Sequence, residues 1–182
     1  MDPIGEDELS IELLSARYNL SLFDSGNPEL DDFLKNGALK EQQELLSKTH
    51  LCFYKDHVAG FITLTADSIR VKTDKLDKSQ IIEDCEYPAY PCILIARLAI
   101  DKKVQKHGLG EFLLLLAIGL ALDGPLGCRY LSVDPKPKAL EYYKKFGFGF
   151  WTSSKHRMYL NIRDVAHELR PDESLDLWIT DE

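Results

Sequence analysis

Apolar residues recur at helical spacing at Leu30, Phe33, Leu34 and Ala38, directly after an Asn27-Pro28 pair suited to capping and opening a helix. The pattern predicts a helix that passes a break at Asn36-Gly37 and runs on to Leu46. Ile11 to Leu14 reads as a short first strand, and Leu51 to Tyr54 with Val58 to Ile69 as a hairpin around Lys55-Asp56-His57. Between Val71 and Pro91 lies a polar connection rich in Lys and Asp that ends in Tyr87-Pro-Ala-Tyr90-Pro. Loops of this length inside compact domains tend to carry function, so part of an acceptor site is expected here, with a plain surface excursion as the alternative.

The second half of the chain is more regular. An apolar β-type segment, residues 97–100, runs into Gln105-x-x-Gly108-x-Gly110 and from there into the apolar stretch Phe112 to Leu122. That stretch is eleven residues long, against about 20 for a bilayer span, so it reads as a buried helix. It is apolar nearly all round, which points to a sheet under one face and a further layer or second subunit on the other. Arg129 to Asp134 and Phe148 to Thr152 read as strands flanking a short helix, opened by Pro137 and stopped at Gly147. On that helix Ala139, Leu140, Tyr143 and Phe146 share one stripe. Tyr143 is thus expected to point inward and Tyr142 to lie at the margin.

A strand, a glycine loop and a helix in succession can hold a diphosphate. The first backbone N–H groups of a helix have no intrahelical partner and sit at the positive end of its dipole, and glycines let an anion come close. A glycine pair after a strand is also what an ordinary tight turn looks like. Here Lys102, Lys103 and Lys106 crowd the glycines in a chain whose net charge is −8, which favours the anion.

At 182 residues and 45% hydrophobic, the chain is large enough for one real core and leaves little room for a second domain. Cys52, Cys85, Cys92 and Cys128 form no C-x-x-C pair and have no His at ligand spacing, so reduced thiols and no metal are expected. The acidic start, Met-Asp-Pro-Ile-Gly-Glu-Asp-Glu, is unlike an export signal, and a cytoplasmic protein with no membrane association is expected. The segment from Asp164 to Glu182 is acidic, with Leu175, Leu177 and Trp178 interspersed.

Gln105-x-x-Gly108-x-Gly110 and Tyr143, four residues before Gly147, resemble the acetyl-CoA signature Q/R-x-x-G-x-G/A and the thiol-facing tyrosine of the Gcn5-related N-acetyltransferase (GNAT) superfamily. Phe23-Asp-Ser-Gly26, Leu30-Asp-Asp-Phe-Leu34, Arg97-Leu-Ala-Ile-Asp101 and Arg157-Met-Tyr-Leu160 resemble its branch of toxins from toxin–antitoxin pairs, which acetylate aminoacyl-tRNA. The resemblance implies a single N-acetyltransferase domain over residues 1–182, with its core at about 10–164 and an acidic tail at 165–182. It also implies an α/β (α+β) GNAT fold, whose mixed, mostly antiparallel and splayed central sheet is flanked by helices.

What the resemblance implies for the site is specific. Leu98, Ala99 and Ile100 would grip pantetheine and polarise the thioester, and Gln105, Lys106, His107, Gly108, Leu109, Gly110 and Glu111 would hold the diphosphate. Tyr143 would be the catalytic group at the thiol, while Arg97 and Asp67 are assigned to the acceptor side. The implied partners are acetyl-CoA as cosubstrate, an amine acceptor such as aminoacyl-tRNA, an antitoxin protein and a second copy of the chain.

No base stands out among Asp67, Glu83, Asp84, Glu86 and His107. An α-amine, with a pKa of about 7.7–8.0, needs less help at neutral pH than a lysine amine at about 10.4. For tRNA, the basic side chains available are Lys102, Lys103, Lys106, Lys136, Lys138, Lys144, Lys145, Lys155 and Arg157, against an acidic whole. A small-molecule amine, a protein N-terminus and a non-catalytic acetyl-CoA-binding role stay open beside the tRNA reading.

Overall fold

The structure, a computed structural model, describes residues 4–70, 87–150 and 156–169. Six strands form one sheet in chain order: β1 (Leu9–Leu13), β2 (Lys48–Tyr54), β3 (His57–Arg70), β4 (Ala89–Ile100), β5 (Tyr130–Val133) and β6 (Met158–Asn161). Every neighbouring pair is antiparallel except β4 and β5, which are parallel, so the sheet is mixed as expected. A parallel pair needs a crossover, and α3 (Leu109–Asp123) supplies it.

The two faces carry different helices. On one, α3 buries Leu109, Leu113, Leu114, Ala117, Ile118 and Ala121 against Ile62, Leu64, Ile95, Leu131 and Val133. Its outward side leaves Leu115 47% exposed, which fits a helix that is apolar nearly all round. On the other face, Phe33, Leu34 and Ala38 pack with Phe23, Leu51, Phe61 and Ala99.

The first helix differs from its expected form. Asn27 accepts from Glu29 N–H at 3.1 Å and Pro28 opens α1 (Pro28–Asp32), but no break follows at Asn36-Gly37. The backbone instead widens into a π turn over Phe33–Gly37 and continues as α2 (Ala38–Gln43). A Cβ on Gly37 would meet the Phe33 ring at 3.1 Å, so glycine makes room for the widened turn. The β2–β3 turn is also tighter than expected. Lys55 and Asp56, with φ of 47° and 61°, are its two central residues, and His57 already belongs to β3.

Two further expectations shift. β4 begins at Ala89, so Tyr90 and Pro91 belong to a strand rather than to the polar connection, and Tyr90 packs on Tyr130 at 5.9 Å. The rest of that connection, residues 71–86, lies outside the described residues. The strand expected at Phe148 to Thr152 is not the sixth strand. Gly147, at φ 81°, turns the chain so that Phe148 is buried in the core and only Gly149 bridges to Tyr159, while Met158–Asn161 pairs along β5. Residues 151–155 lie outside the described set. The segment after Asp164 starts as α5 (Ile162–Leu169), and residues 170–182 are likewise outside it.

Phe61 is fully buried mid-sheet against Phe23 and Phe33. Phe61→Ala is expected to lower unfolding free energy by about 3–5 kcal/mol, checked by denaturant titration.

Candidate active site

The site begins with one extra residue. In the β3–β4 ladder Thr63 faces Arg97 and Leu64 faces Ile95, so Ala96 has no partner and β4 is bulged there. The parallel ladder to β5 runs from Cys92 with Tyr130 to Ile95 with Val133 and stops at the same point. A bulge bends its strand and increases local twist, which carries β4 away from β5. Among the described residues β4 from Ala96 to Ile100 pairs with no strand but β3, and its other edge, about 16 Å long, presents backbone groups of which Ile100 O is taken by the Gln105 amide. An extended amide-bearing chain can add to such an edge as a strand does.

That edge leads into a loop held from within. Asp101 is buried, its N–H donates to Ala59 O at 2.8 Å, and its carboxylate accepts from Asp24 N at 3.0 Å and Lys103 N at 2.9 Å. The Gln105 amide donates to Ile100 O at 3.0 Å and to Ser25 O at 2.9 Å, tying the loop to the end of β4 and to the segment before α1. Lys106 and Gly108 adopt left-handed φ of 69° and 89°, and Gly108 is the N-cap of α3. Phe112 N–H returns to Gly108 O at 3.0 Å, which leaves the N–H groups of Leu109, Gly110 and Glu111 as the helix's first free donors. His107 offers its carbonyl to Ile4 N–H at 3.2 Å. Lys103 and Lys106 are exposed beside these donors, whereas Lys102 is paired with Asp24.

Across from the loop, a 3-10 turn (Pro137–Ala139) leads into α4 (Leu140–Lys145). Tyr143 points inward as expected, its ring 5.5 Å from Phe148 and 5.3 Å from Tyr142. Burial pushes its hydroxyl up to about 12, so at neutral pH it is a protonated donor. Tyr142 is only partly buried, at the margin as expected. Its hydroxyl is buried with no hydrogen-bond partner among the described residues and sits 3.0 Å from where a Cβ on Gly110 would stand. The helical spacing placed this ring roughly 100° from the buried stripe, and could not show that its hydroxyl end meets the first turn of α3.

The residues assigned to the acceptor side are both engaged. Arg97, on the bulged edge, lays its guanidinium over the Phe33 ring at 3.6 Å, with Glu41 at 3.8 Å. Asp67 is ion-paired with Arg157, which also donates to both oxygens of Asp134 at 2.7 and 2.6 Å. These hydrogen bonds and carboxylate charges raise the Arg157 guanidinium above its usual range, Asp134 contributing most. Asp67 is thus committed to a charge pair and is not a free base. Asp134, Asp101 and Tyr142 stand beside the assigned residues without having been assigned a role from the sequence, although each lay in a segment marked there.

Lys136 pairs with Glu29 and Lys144 with Glu141, while Lys103, Lys106, Lys138 and Lys145 have no ion pair among the described residues. Lys155 lies outside them. Among the described residues no helix is long and apolar enough to cross a membrane, and no group of three or more His, Cys, Asp or Glu is arranged to hold a metal ion.

The residues present suit an acetyl-CoA molecule: an open strand edge for amide groups, free helix-terminal donors with lysines for a diphosphate, and a protonated phenol. Such a splayed sheet with its glycine loop is the frame of an acyl-CoA-dependent acyltransferase. Residues 12–148 match the sequence profile of the Acetyltransferase (GNAT) family, and the chain belongs to that family.

A tRNA-acetylating toxin of Mycobacterium tuberculosis (strain ATCC 25618 / H37Rv) is 29% identical over 162 residues, spanning 84% of this chain and 91% of the relative. The fold is shared with AtaT complexed with acetyl-methionyl-tRNAfMet, at TM-score 0.80 and 23% identity over 88% of this chain and 99% of that one. It is shared too with AtaTR bound with AcCoA, at TM-score 0.74 and 24% identity over 90% and 99% of the two chains.

Gln105→Ala removes both hydrogen bonds that brace the loop. It is expected to weaken coenzyme A binding about tenfold in calorimetry while the fold, followed by circular dichroism, stays intact.

Proposed function

We propose that this chain, read as one N-acetyltransferase domain over residues 1–182, transfers the acetyl group of acetyl-CoA to the α-amine of aminoacyl-tRNA by direct attack on the thioester. The observation that carries the acetyl-transfer reading is the bulged edge of β4 leading to three free N–H groups at the start of α3, with Tyr143 buried on the opposing helix.

When bound, acetyl-CoA supplies an activated thioester carbonyl. The edge at Leu98, Ala99 and Ile100 binds and orients the pantetheine arm, with its backbone donors available to the developing oxyanion. Gly108, Leu109, Gly110 and Glu111 present backbone N–H groups to the diphosphate, Lys106 adds charge, and Gln105 and His107 hold the loop's path. Tyr143 donates a hydrogen bond to the departing sulfur. With its phenol near 12 and a thiol near 8.5, complete proton transfer is uphill by about 5 kcal/mol, so a held hydrogen bond is its role. Arg97 and the Asp67–Arg157 pair flank the side on which the amine arrives.

The tRNA acceptor is supported by the activity in the M. tuberculosis relative's name and by the tRNA bound to AtaT. Lys103, Lys106, Lys138 and Lys145, which carry no ion pair among the described residues, are available for phosphates. An α-amine also suits a site where Asp67 is already neutralised by Arg157. The same reading makes the protein a cytoplasmic toxin, bound by an antitoxin as AtaT is by AtaR, and a homodimer through the exposed side of α3 around Leu115. A second reading, a small-molecule amine or protein N-terminus as acceptor, is favoured by the net charge of −8, which attracts cationic amines rather than polyanions.

Labelled acetyl from acetyl-CoA is expected in charged tRNA, and not in deacylated tRNA, polyamines or peptides. Label in a small amine or peptide would replace the acceptor, and coenzyme A binding without transfer to any of them would indicate a binding module. Tyr143→Phe is expected to lower turnover about 100-fold with coenzyme A affinity unchanged. Turnover should rise with pH as the α-amine loses its proton near 8, and show no fall up to about pH 10, because Tyr143 titrates above that. A fall between pH 8.5 and 10 that disappears in Tyr143→Phe would contradict this role.

A further inference from the structure

The two glycines of the loop stand in different surroundings. Gly108 has a left-handed φ of 89°, which a side chain would strain. Gly110 does not: it lies inside α3 with an ordinary helical backbone, where alanine would be the better residue on conformational grounds. The acetyl-CoA signature that the loop resembles admits alanine at this place. The neighbouring atoms supply a reason for glycine here. A Cβ on Gly110 would lie 3.0 Å from the Tyr142 hydroxyl oxygen and 3.7 Å from the carbon that bears it, and beyond its own helix no other atom of the described residues comes within 4 Å.

Tyr142 cannot easily step aside. Its ring packs edge-on against Tyr143 at 5.3 Å and Phe146 at 5.1 Å, and its hydroxyl is enclosed. A buried hydroxyl without a partner costs stability, so phenylalanine would serve better if the ring were only filling space. The oxygen is the part of the side chain that touches the first turn of α3, the turn carrying the free N–H groups of Leu109, Gly110 and Glu111.

We propose that Tyr142 is a positioning residue of the acetyl-CoA site: its hydroxyl oxygen occupies the place of a side chain at residue 110, fixes the first turn of α3, and couples the diphosphate loop to the helix that carries Tyr143. The proposal rests on the reading of this loop as the diphosphate site. It also makes a chain-specific rule, that alanine at 110 is excluded only while α4 presents the Tyr142 oxygen to it.

The test is a double-variant cycle of Gly110→Ala and Tyr142→Phe, read by calorimetric binding of coenzyme A and by melting of the ligand-free protein. Gly110→Ala alone forces an overpacked contact and is expected to weaken coenzyme A binding about tenfold and to lower the melting temperature. Adding Tyr142→Phe leaves the methyl against the ring carbon at an ordinary distance, so both quantities should return to those of Tyr142→Phe alone. Gly110→Ala behaving as the parent, or no recovery on adding Tyr142→Phe, would overturn the proposal. If Gly110→Ala does not fold, recovery of folding in the double variant supports the contact and an unfolded double variant overturns it. A parent protein that does not bind coenzyme A would defeat the diphosphate reading instead, and the ligand-free melting cycle would still decide the contact.

Discussion

A single unpaired residue in β4 governs this molecule. Because Ala96 has no partner on β3, the strand bends where its ladder to β5 ends, and the sheet opens instead of closing. Everything assigned to chemistry depends on that opening. Without it, the edge at residues 96–100 would be paired and buried, and the glycine loop would terminate an ordinary βα unit.

The cost of leaving a strand edge open is met by fixing what surrounds it. Asp101 and Gln105 anchor the loop with four hydrogen bonds to backbone groups on β4, the loop itself and the segment before α1. Phe33, brought round by the π turn, supports Arg97 on the open strand, and Arg157, just before β6, clamps Asp67 and Asp134. The unsatisfied groups that remain, the edge of β4 and the N-terminus of α3, are those an acetyl-CoA molecule would complete.

Periodicity made much of the fold legible. Short apolar segments around a polar turn marked β1 to β3, the apolar run marked α3, and Pro137 with Gly147 bracketed α4, because each element is decided by local pattern and by residues with restricted backbones. The glycine loop and Tyr143 were legible for the same reason. The bulge was not: one extra residue in a strand of twelve leaves no trace in an apolar pattern. Nor was the π turn, where Asn36-Gly37 reads as a break until the Phe33 ring is seen to need the space. The sixth strand was displaced to Phe148 because Phe148, an apolar residue just after a glycine, carries the same local signal as a strand start while tertiary packing puts it in the core. The ion pair of Asp67 with Arg157, ninety residues apart, is invisible to any local reading.

The central claim is that the open edge of β4 and the first turn of α3 together form the acetyl-CoA site. Amide hydrogen exchange with and without coenzyme A tests this most directly. The account predicts new protection at Leu98 and Ile100, whose N–H groups face away from β3, and at 109–111, and none at Cys92 to Ile95, whose backbone is already paired on both sides. Binding of coenzyme A that left Leu98, Ile100 and residues 109–111 exchanging as before, or protected another surface instead, would contradict it.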